Sequence, residues 1–247
     1  MELTNPKTKS YPKGMYKRLL AAPLRFQSSF FLFGPRGTGK TSWLKKTFPD
    51  ALFFDLLSMS TYLELLQNPS SLEEKIPKGF NEWIVIDEIQ KIPDLLNEVH
   101  RLIESHNYRF ILTGSSARTL RRKGVNLLAG RAHSYKMFPL TAVELGDHFK
   151  LHDSVVIGHL PSAQKHRESA QEYLSSYIGT YLKEEVLQEG ITRNIASFAR
   201  FLEVASFSQG STLNISEVAR ECKTERKVVE SYFTILEDLL IATRLPP

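Results

Sequence analysis

Several features that would define a class of protein are scarce or missing in this sequence. The chain of 247 residues has a single cysteine, Cys222, so it can form no disulfide within itself. The seven histidines are scattered and form no Cys/His cluster at the spacing of a zinc site. These absences exclude a disulfide-rich scaffold and a zinc module, and they suit a reducing cytosol.

Long hydrophobic runs are also missing. Near the basic N-terminus, the apolar stretch from Leu19 to Ala22 is interrupted by Pro23 and then by charged and polar residues. It is too short for the hydrophobic region of a signal peptide or for a membrane-spanning helix. We therefore expect a cytoplasmic protein with no membrane partner. The sequence also has no internal repeat and no low-complexity tract.

Charge is distributed unevenly along the chain. A net charge of +5 permits a nucleic-acid partner, but total charge governs attraction rather than specific recognition. Between Ala117 and Val143 six basic residues, including Arg118, Arg121, Arg122 and Lys123, occur without a carboxylate. From Ser211 to the C-terminus five basic residues face six acidic ones. The charge pattern gives DNA binding only weak support.

Short apolar runs alternate with helical patterns through the first half of the chain. This alternation is typical of βαβ units and predicts an α/β fold with a parallel sheet between flanking helices. From about Glu168 the pattern changes to sustained helix. The predicted strands lie at Phe30–Phe33, Ala51–Phe54, Trp83–Ile86, Phe110–Thr113 and Ser134–Leu140.

These patterns divide the chain into four segments: a basic helical lead-in at 1–28, an α/β domain at 29–149, a linker at 150–166 and a helical domain at 167–247. The segment 150–166 is assigned to a linker because its sequence shows only weak helix and strand patterns. In the helical domain, an apolar stripe runs from Tyr173 to Leu182. We interpret that stripe as core packing rather than as a cofactor site.

The segment from Gly34 to Thr41 fits G-x-x-x-x-G-K-[ST] at every position, after an apolar strand and at the start of a helix. Glycines let the backbone curl so that its N–H groups converge on phosphate oxygens at the positive end of the helix. Lys40 would neutralise the β and γ phosphates, and the Thr41 hydroxyl would ligate Mg²⁺. The pattern predicts ATP and Mg²⁺ as cofactors. The predicted nucleotide-binding residues are Gly34, Pro35, Arg36, Gly37, Thr38, Gly39, Lys40, Thr41 and Ser42.

A second motif, Ile84 to Glu88, supplies what a P-loop lacks for hydrolysis. An apolar strand ends there in two carboxylates, and a strand beside the P-loop strand would bring Asp87 to the hydration shell of Mg²⁺. Glu88, one residue further, would take the proton from the attacking water. A solvated Asp-Glu pair at a strand end is the alternative, but beside a P-loop the motif favours an ATPase.

Three further residues are candidates for catalysis. Thr113 and Ser115 follow a central strand, where a hydroxyl could sense the γ-phosphate, although capping of the next helix is an equal interpretation, especially for Ser116. Arg131 is a candidate arginine finger, with ordinary surface charge as its alternative. A finger acts on the nucleotide of a neighbouring subunit, so this role would require a homo-oligomer.

Together these motifs resemble the AAA+-type ATPases of bacteria and archaea that are known simply as ATP-binding proteins and carry a C-terminal winged helix. The resemblance implies a P-loop NTPase sheet of the AAA+/ASCE type with flanking helices, followed by a helical domain. It also implies Asp87 and Glu88 as the metal-binding and water-activating acids. The similar stretches are Gly34–Thr41, Val85–Gln90, Leu112–Ser116, Leu128–Arg131 and Phe138–Leu140, then Tyr173–Glu185, Phe198–Phe201 and Glu217–Pro247.

The chain departs from that family in two places. In the predicted helix-turn-helix, Lys223 stands where the family commonly has a turn glycine, Glu225 where it often has a capping serine, and Cys222 where leucine is usual. We interpret Cys222 as a small core residue. The sequence stops at Pro247, where the family usually continues, so the predicted winged helix is partial.

Three functions are consistent with these motifs. The first is an AAA+-type ATPase whose winged helix contacts DNA, and the second is a slow nucleotide-gated signalling or scaffold protein whose winged helix contacts protein. The third is a small-molecule kinase. It is disfavoured because the Asp87-Glu88 pair indicates water as the nucleophile and no acceptor-binding lid is recognisable.

Overall fold

The structure, a computed structural model, describes residues 16–21, 28–118, 120, 128, 131–182 and 195–245. Most of the lead-in at 1–28 lies outside these ranges, as do Arg121, Arg122 and Lys123. The first half forms a five-stranded sheet in the order β2-β3-β4-β1-β5. The strands are β1 (Ser29–Phe33), β2 (Leu52–Asp55), β3 (Trp83–Asp87), β4 (Arg109–Gly114) and β5 (Ala132–Lys136).

All four strand pairings are parallel, so the predicted α/β fold is confirmed. The side chains of β1 alternate between two buried faces of the sheet. Phe31 and Phe33 pack in one core cluster together with the helix at Leu95–His106. Phe30 and Leu32 pack in another with the helix that follows the P-loop. Burial on both faces explains why β1 is an almost uninterrupted apolar run.

Helices cover the sheet and continue through the second half of the described chain as far as Asp238. Three short 3₁₀ segments, Ile89–Lys91, Gly146–His148 and Arg167–Ser169, lie among them. A π-helix at Tyr177–Leu182 directly extends one of the α-helices. The α-helices are α1 (Lys40–Thr47), α2 (Met59–Gln67), α3 (Ser71–Glu74), α4 (Leu95–His106), α5 (Ala142–Leu145), α6 (Leu151–Ile157), α7 (Pro161–Lys165), α8 (Ala170–Ser176), α9 (Ile195–Ser206), α10 (Ile215–Cys222) and α11 (Arg226–Asp238).

The segment 150–166, which its sequence assigns to a linker, contains the two helices α6 and α7. They pack against α8 through a small buried cluster that includes Ile157, Ala163 and Ala170. Each helix has at most about two turns, so its few apolar positions give no helical period that the sequence could reveal.

The stripe from Tyr173 to Leu182 also differs from its interpretation as core packing. Tyr173 and Leu174 do pack against the cluster around Ala170. Ile178, however, is 51% exposed, and the hydroxyl of the buried Tyr181 contacts the P-loop. A helix that switches from α to π geometry changes its residues per turn, so one face does not stay continuous.

The last three helices form a separate buried cluster. Phe198 and Phe201 of α9 pack against Tyr232 and Phe233 of α11, and α10 covers the same core with Cys222 buried in it. Helices α10 and α11 are joined by a turn in which Lys223 adopts a left-handed conformation (φ 53°). After α11 the described chain has no strand up to Leu245.

None of the described helices is both long enough and apolar enough to cross a membrane.

Candidate functional site

The P-loop connects β1 to α1 at the carboxyl edge of the sheet. Gly37 (φ 81°) and Gly39 (φ 87°) adopt left-handed conformations that other residues rarely tolerate. Gly34 is required for a different reason, since a Cβ atom there would lie 2.2 Å from the carbonyl oxygen of Met137. The glycines of the motif therefore hold the loop against the segment after β5 and let it curl over the start of α1.

The carbonyl groups of the loop are held by hydrogen-bond donors. The Lys40 ammonium donates to the Gly34 carbonyl at 2.7 Å, and the Thr38 hydroxyl donates to the Pro35 carbonyl at 2.8 Å. The amides of Gly37, Gly39 and Thr41 donate to no group among the described residues. Because unpartnered amides at a helix N-terminus form an anion site, the loop has the chemistry that phosphate binding needs.

The acids at the end of β3 meet the P-loop helix directly. The Thr41 hydroxyl donates to Asp87 Oδ2 at 2.7 Å, and the Thr113 hydroxyl donates to Asp87 Oδ1. Asp87 is only 5% exposed. A hydroxyl and a carboxylate are the hard oxygen ligands that Mg²⁺ prefers, so Thr41 and Asp87 fit the predicted metal site.

Glu88 follows in a left-handed conformation (φ 63°), which costs a non-glycine residue roughly 1 kcal/mol. Its amide donates to the Thr113 hydroxyl at 3.1 Å, and its carboxylate accepts a hydrogen bond from the Gln90 side chain. Such unfavourable backbone conformations concentrate at functional sites. Thr113 thus contacts both acids, while its sensor role stays a prediction.

Gln90 also belongs to the site, although the sequence predicts no role for it. Its Oε1 atom is buried and has no hydrogen-bond partner among the described residues. A Cβ atom on Gly114 would lie 2.6 Å from that oxygen, so the glycine makes room for the amide. The only signal in the sequence is a polar residue two positions after Glu88, which by itself is not specific.

The serines after β4 are buried. Ser115 is 3% exposed, and its sensor role stays a prediction. The Ser116 hydroxyl accepts a hydrogen bond from the Arg118 amide at 3.2 Å, a contact of the capping type.

Arg131 lies at the amino-terminal ends of the strands, whereas the P-loop lies at their carboxyl-terminal ends. It directly precedes β5, and its guanidinium forms an ion pair with Glu104 near the end of α4. Its side chain is 41% exposed and lines a cavity of about 660 Å³ at the amino ends of the strands. Within one chain Arg131 therefore does not contact the P-loop, and a role as arginine finger stays a prediction that requires a second subunit.

A cavity of about 330 Å³ lies beside the P-loop, within the size range of ligand pockets. Apolar side chains from three parts of the chain give it walls suited to a planar ring. Three of its lining residues, Thr38, Gly39 and Ser42, are among the nucleotide-binding residues predicted from the P-loop motif. The cavity is lined by Tyr16, Lys17, Arg18, Thr38, Gly39, Ser42, Trp43, Lys46, Thr47, Leu140 and Pro161.

Arg18 attaches the N-terminal segment to this cavity. Its guanidinium donates to the carbonyl of Thr38 in the P-loop at 3.3 Å and lies 3.2 Å from the carboxylate of Glu144. Glu144 also accepts from the Leu19 amide at 2.7 Å. Burial lowers the pKa of Arg18 from its ordinary value, while the charge of Glu144 acts against that shift. Arg18 is thus a structural cation inside the site.

The comparisons with known families agree with this geometry. Residues 27–146 match the family model described as an AAA domain. Residues 148–247 match the model of a domain of unknown function, DUF8612. The first half of the chain is thus a domain of the AAA class, and an AAA domain implies nucleotide binding. More particularly, the chain carries an AAA domain followed by a C-terminal DUF8612 domain.

Two uncharacterized mycobacterial proteins are among the curated proteins that the chain is similar to. Proteins of Mycobacterium tuberculosis and of Mycobacterium bovis are each 26% identical to the chain over 224 residues. The match covers 87% of this chain and 49% of each relative. The chain therefore spans about half the length of the curated relatives it matches.

Among solved structures, the chain is similar to two proteins of Aeropyrum pernix. The ORC1 protein in complex with DNA is 14% identical with a TM-score of 0.36, covering 87% of this chain and 78% of that one. The ORC2 protein in its ADP form is 13% identical with a TM-score of 0.45, covering 86% and 80%. Likenesses at this level do not bear on function.

Proposed function

We propose that the protein binds ATP with Mg²⁺, hydrolyses it, and couples the state of the nucleotide to the position of the C-terminal helical domain. The observation that carries this proposal is the hydrogen bond between the Thr41 hydroxyl and Asp87, 2.7 Å long, beside P-loop amides that have no partner among the described residues. A phosphate site and a magnesium site thus adjoin each other at one edge of the sheet.

The phosphates of ATP would lie against the amides of Gly37, Gly39 and Thr41. Lys40 would then exchange its bonds to the Gly34 and Pro35 carbonyls for the β and γ phosphates. The base would enter the cavity beside Trp43. Thr41 and, through water, Asp87 would hold Mg²⁺, which supplies neutralisation of phosphate charge when bound.

For hydrolysis, Glu88 would take the proton of the attacking water. Its carboxylate is held by the Gln90 amide, and its backbone by the Thr113 hydroxyl. We propose that Gln90 keeps Glu88 oriented until nucleotide arrives. The Gln90 Oε1 atom, which has no hydrogen-bond partner among the described residues, would accept a hydrogen bond from that water.

The test of this proposal is phosphate release from ATP by the purified chain. We expect ATP and ADP to bind. Phosphate release should require Mg²⁺ and should stop when a chelator is added, because Mg²⁺ would link Thr41 and Asp87 to the phosphates. Calorimetric titration measures binding, and a coupled phosphate assay measures turnover. Binding of ADP without any release of phosphate would favour a nucleotide-gated switch over an ATPase.

For the partner of the helical domain, we propose duplex DNA. The first turn of α11, the second helix of the helix-turn-helix, begins with the exposed Arg226 and Lys227, and the exposed Lys223 precedes it. DNA-binding helix-turn-helix proteins contact the bases with this part of the second helix. The nearby Glu230 pairs with Arg226 at 3.0 Å. Contact with a protein is the alternative.

We predict that duplex DNA binds and that its affinity falls steeply with salt, because phosphate contacts release counterions. Changing Lys223 and Lys227 together to glutamate should weaken binding by at least about tenfold, because contacts with DNA phosphates are lost. The salt dependence of the remaining binding should also be smaller. Lys78→Glu, a change of an exposed lysine in the AAA domain, is the control. Titrations with ATP or ADP at several salt concentrations measure this. Absence of DNA binding at low salt would contradict this proposal.

A further inference from the structure

The P-loop is held from outside by the C-terminal domain. The Tyr177 hydroxyl donates to the carbonyl oxygen of Arg36 at 3.1 Å. The Tyr181 hydroxyl accepts a hydrogen bond from the amide of the same residue at 3.0 Å. Arg36 is the third residue of the P-loop motif, directly before Gly37. Both backbone groups of one P-loop residue are therefore fixed by side chains that lie more than a hundred residues later, in the DUF8612 domain.

The tyrosine pair, Tyr177 and Tyr181, begins and nearly ends the π-helix at Tyr177–Leu182. The two rings lie 4.6 Å apart between centroids, and Tyr181 is only 4% exposed. π-Helical turns are rare and are frequent at functional sites. Here the altered turn brings two hydroxyls four positions apart onto the backbone of a single residue, Arg36, so the rare geometry and the contact with the P-loop occur at the same place.

The neighbouring Tyr173 approaches the same loop without a hydrogen bond. A Cβ atom on Gly37 would lie 2.9 Å from the Tyr173 hydroxyl, which donates to no group among the described residues. The C-terminal domain therefore packs on Gly37 through Tyr173, while it bonds Arg36 through the tyrosine pair. Tyr173 belongs to the same continuous helix as the tyrosine pair. Changing it to phenylalanine therefore tests whether loss of any tyrosine hydroxyl beside the P-loop has the same effect as loss of the two hydrogen bonds to Arg36.

We propose that Tyr177 and Tyr181 are positioning residues that hold the P-loop in its nucleotide-binding conformation and thereby link nucleotide binding to the docking of the C-terminal domain. This inference rests on the nucleotide binding proposed above. The amides that would contact phosphate begin at Gly37, so the bonds to Arg36 orient the loop without competing for the ligand. Since such coupling is reciprocal, bound nucleotide stabilises the docked domain by the same factor.

The first measurement is the affinity for ADP with Mg²⁺ in the double variant Tyr177→Phe/Tyr181→Phe. A loop that is less often in its binding conformation binds more weakly in proportion. We expect the dissociation constant to rise between about threefold and thirtyfold, which corresponds to the loss of two neutral hydrogen bonds. Tyr173→Phe, the matched control, should stay within about twofold of the wild type. Thermal unfolding verifies that each variant is folded.

The second measurement is hydrogen exchange of residues 170–182 with and without ADP. In the wild type and in Tyr173→Phe, ADP should slow exchange in this segment, because binding and docking are coupled. In the double variant that slowing should be lost even at saturating ADP. A purely structural role of the tyrosine pair would change exchange equally with and without nucleotide.

The outcomes separate this inference from the proposed function. If the wild type binds ADP and the double variant binds it equally well, the tyrosine pair does not position the P-loop and only this inference is wrong. An absence of ADP-dependent slowing in a wild type that binds ADP would contradict the coupling. A wild type that binds no nucleotide would contradict the proposed function and this inference together.

Discussion

Replacing Glu88 with glutamine is expected to leave ATP bound but uncleaved. Glutamine keeps the size of the side chain and the backbone bond from residue 88 to Thr113, while it removes the carboxylate that accepts the proton of water. We expect phosphate release to fall by at least about 100-fold, within the range for loss of a general base. The affinity for ATP should stay within about threefold of the wild type, because Glu88 is not among the groups proposed to contact phosphate. Single-turnover phosphate release and equilibrium ATP binding measure the two effects.

Glu82→Gln is the matched control for this variant. This substitution also removes one negative charge. Glu82 is exposed and directly precedes β3, the strand that leads to Asp87. Its phosphate release should equal that of the wild type. Normal phosphate release by the Glu88 variant would show that another group accepts the proton, and loss of ATP binding would show that Glu88 maintains the P-loop instead.

The arrangement of strands at the site could be predicted because its causes are local. An apolar run followed by Gly34, and another followed by Asp87, each indicate a buried strand with its functional residues at the carboxyl end. In a parallel sheet those ends share one edge. The pairing of Thr113 with Asp87 could not be predicted in this way, because it depends on β3 and β4 being neighbours in register.

The contact between the tyrosine pair and Arg36 illustrates what sequence patterns leave open. A helix with aromatic residues four positions apart has the same period whether those residues pack in a core or against another domain. Which occurs depends on a partner more than a hundred residues away and on the π geometry of one helical turn. Neither of these has a signal within the helix itself.

Charges were the least informative part of the sequence, since their partners are distant. Arg118 belongs to a stretch with no carboxylate, yet its guanidinium pairs with Asp238 at the end of α11. Arg131, in the same stretch, pairs with Glu104. Counting charges along the chain therefore overstates how much of this stretch is available for a nucleic acid.

The change Lys40→Ala is expected to have the largest effect on binding. In the structure Lys40 is only 6% exposed, and the bonds of its ammonium to the Gly34 and Pro35 carbonyls keep it inside the loop. A cation held there is placed to meet the phosphates with little reorganisation. Charge-assisted hydrogen bonds contribute roughly 1.5–3 kcal/mol each, so losing those to the β and γ phosphates should weaken binding of a non-hydrolysable ATP analogue by at least about 100-fold.

Two comparisons make this result specific to phosphate recognition. Lys45→Ala removes an exposed lysine of the same helix and should leave the affinity within about twofold of the wild type. ADP lacks the γ-phosphate, so the loss in the Lys40 variant should be smaller for ADP than for the ATP analogue. Equal losses for both ligands would place Lys40 on the β-phosphate alone. An unchanged affinity for both, in a variant whose thermal unfolding matches the wild type, would show that the nucleotide does not bind at this loop.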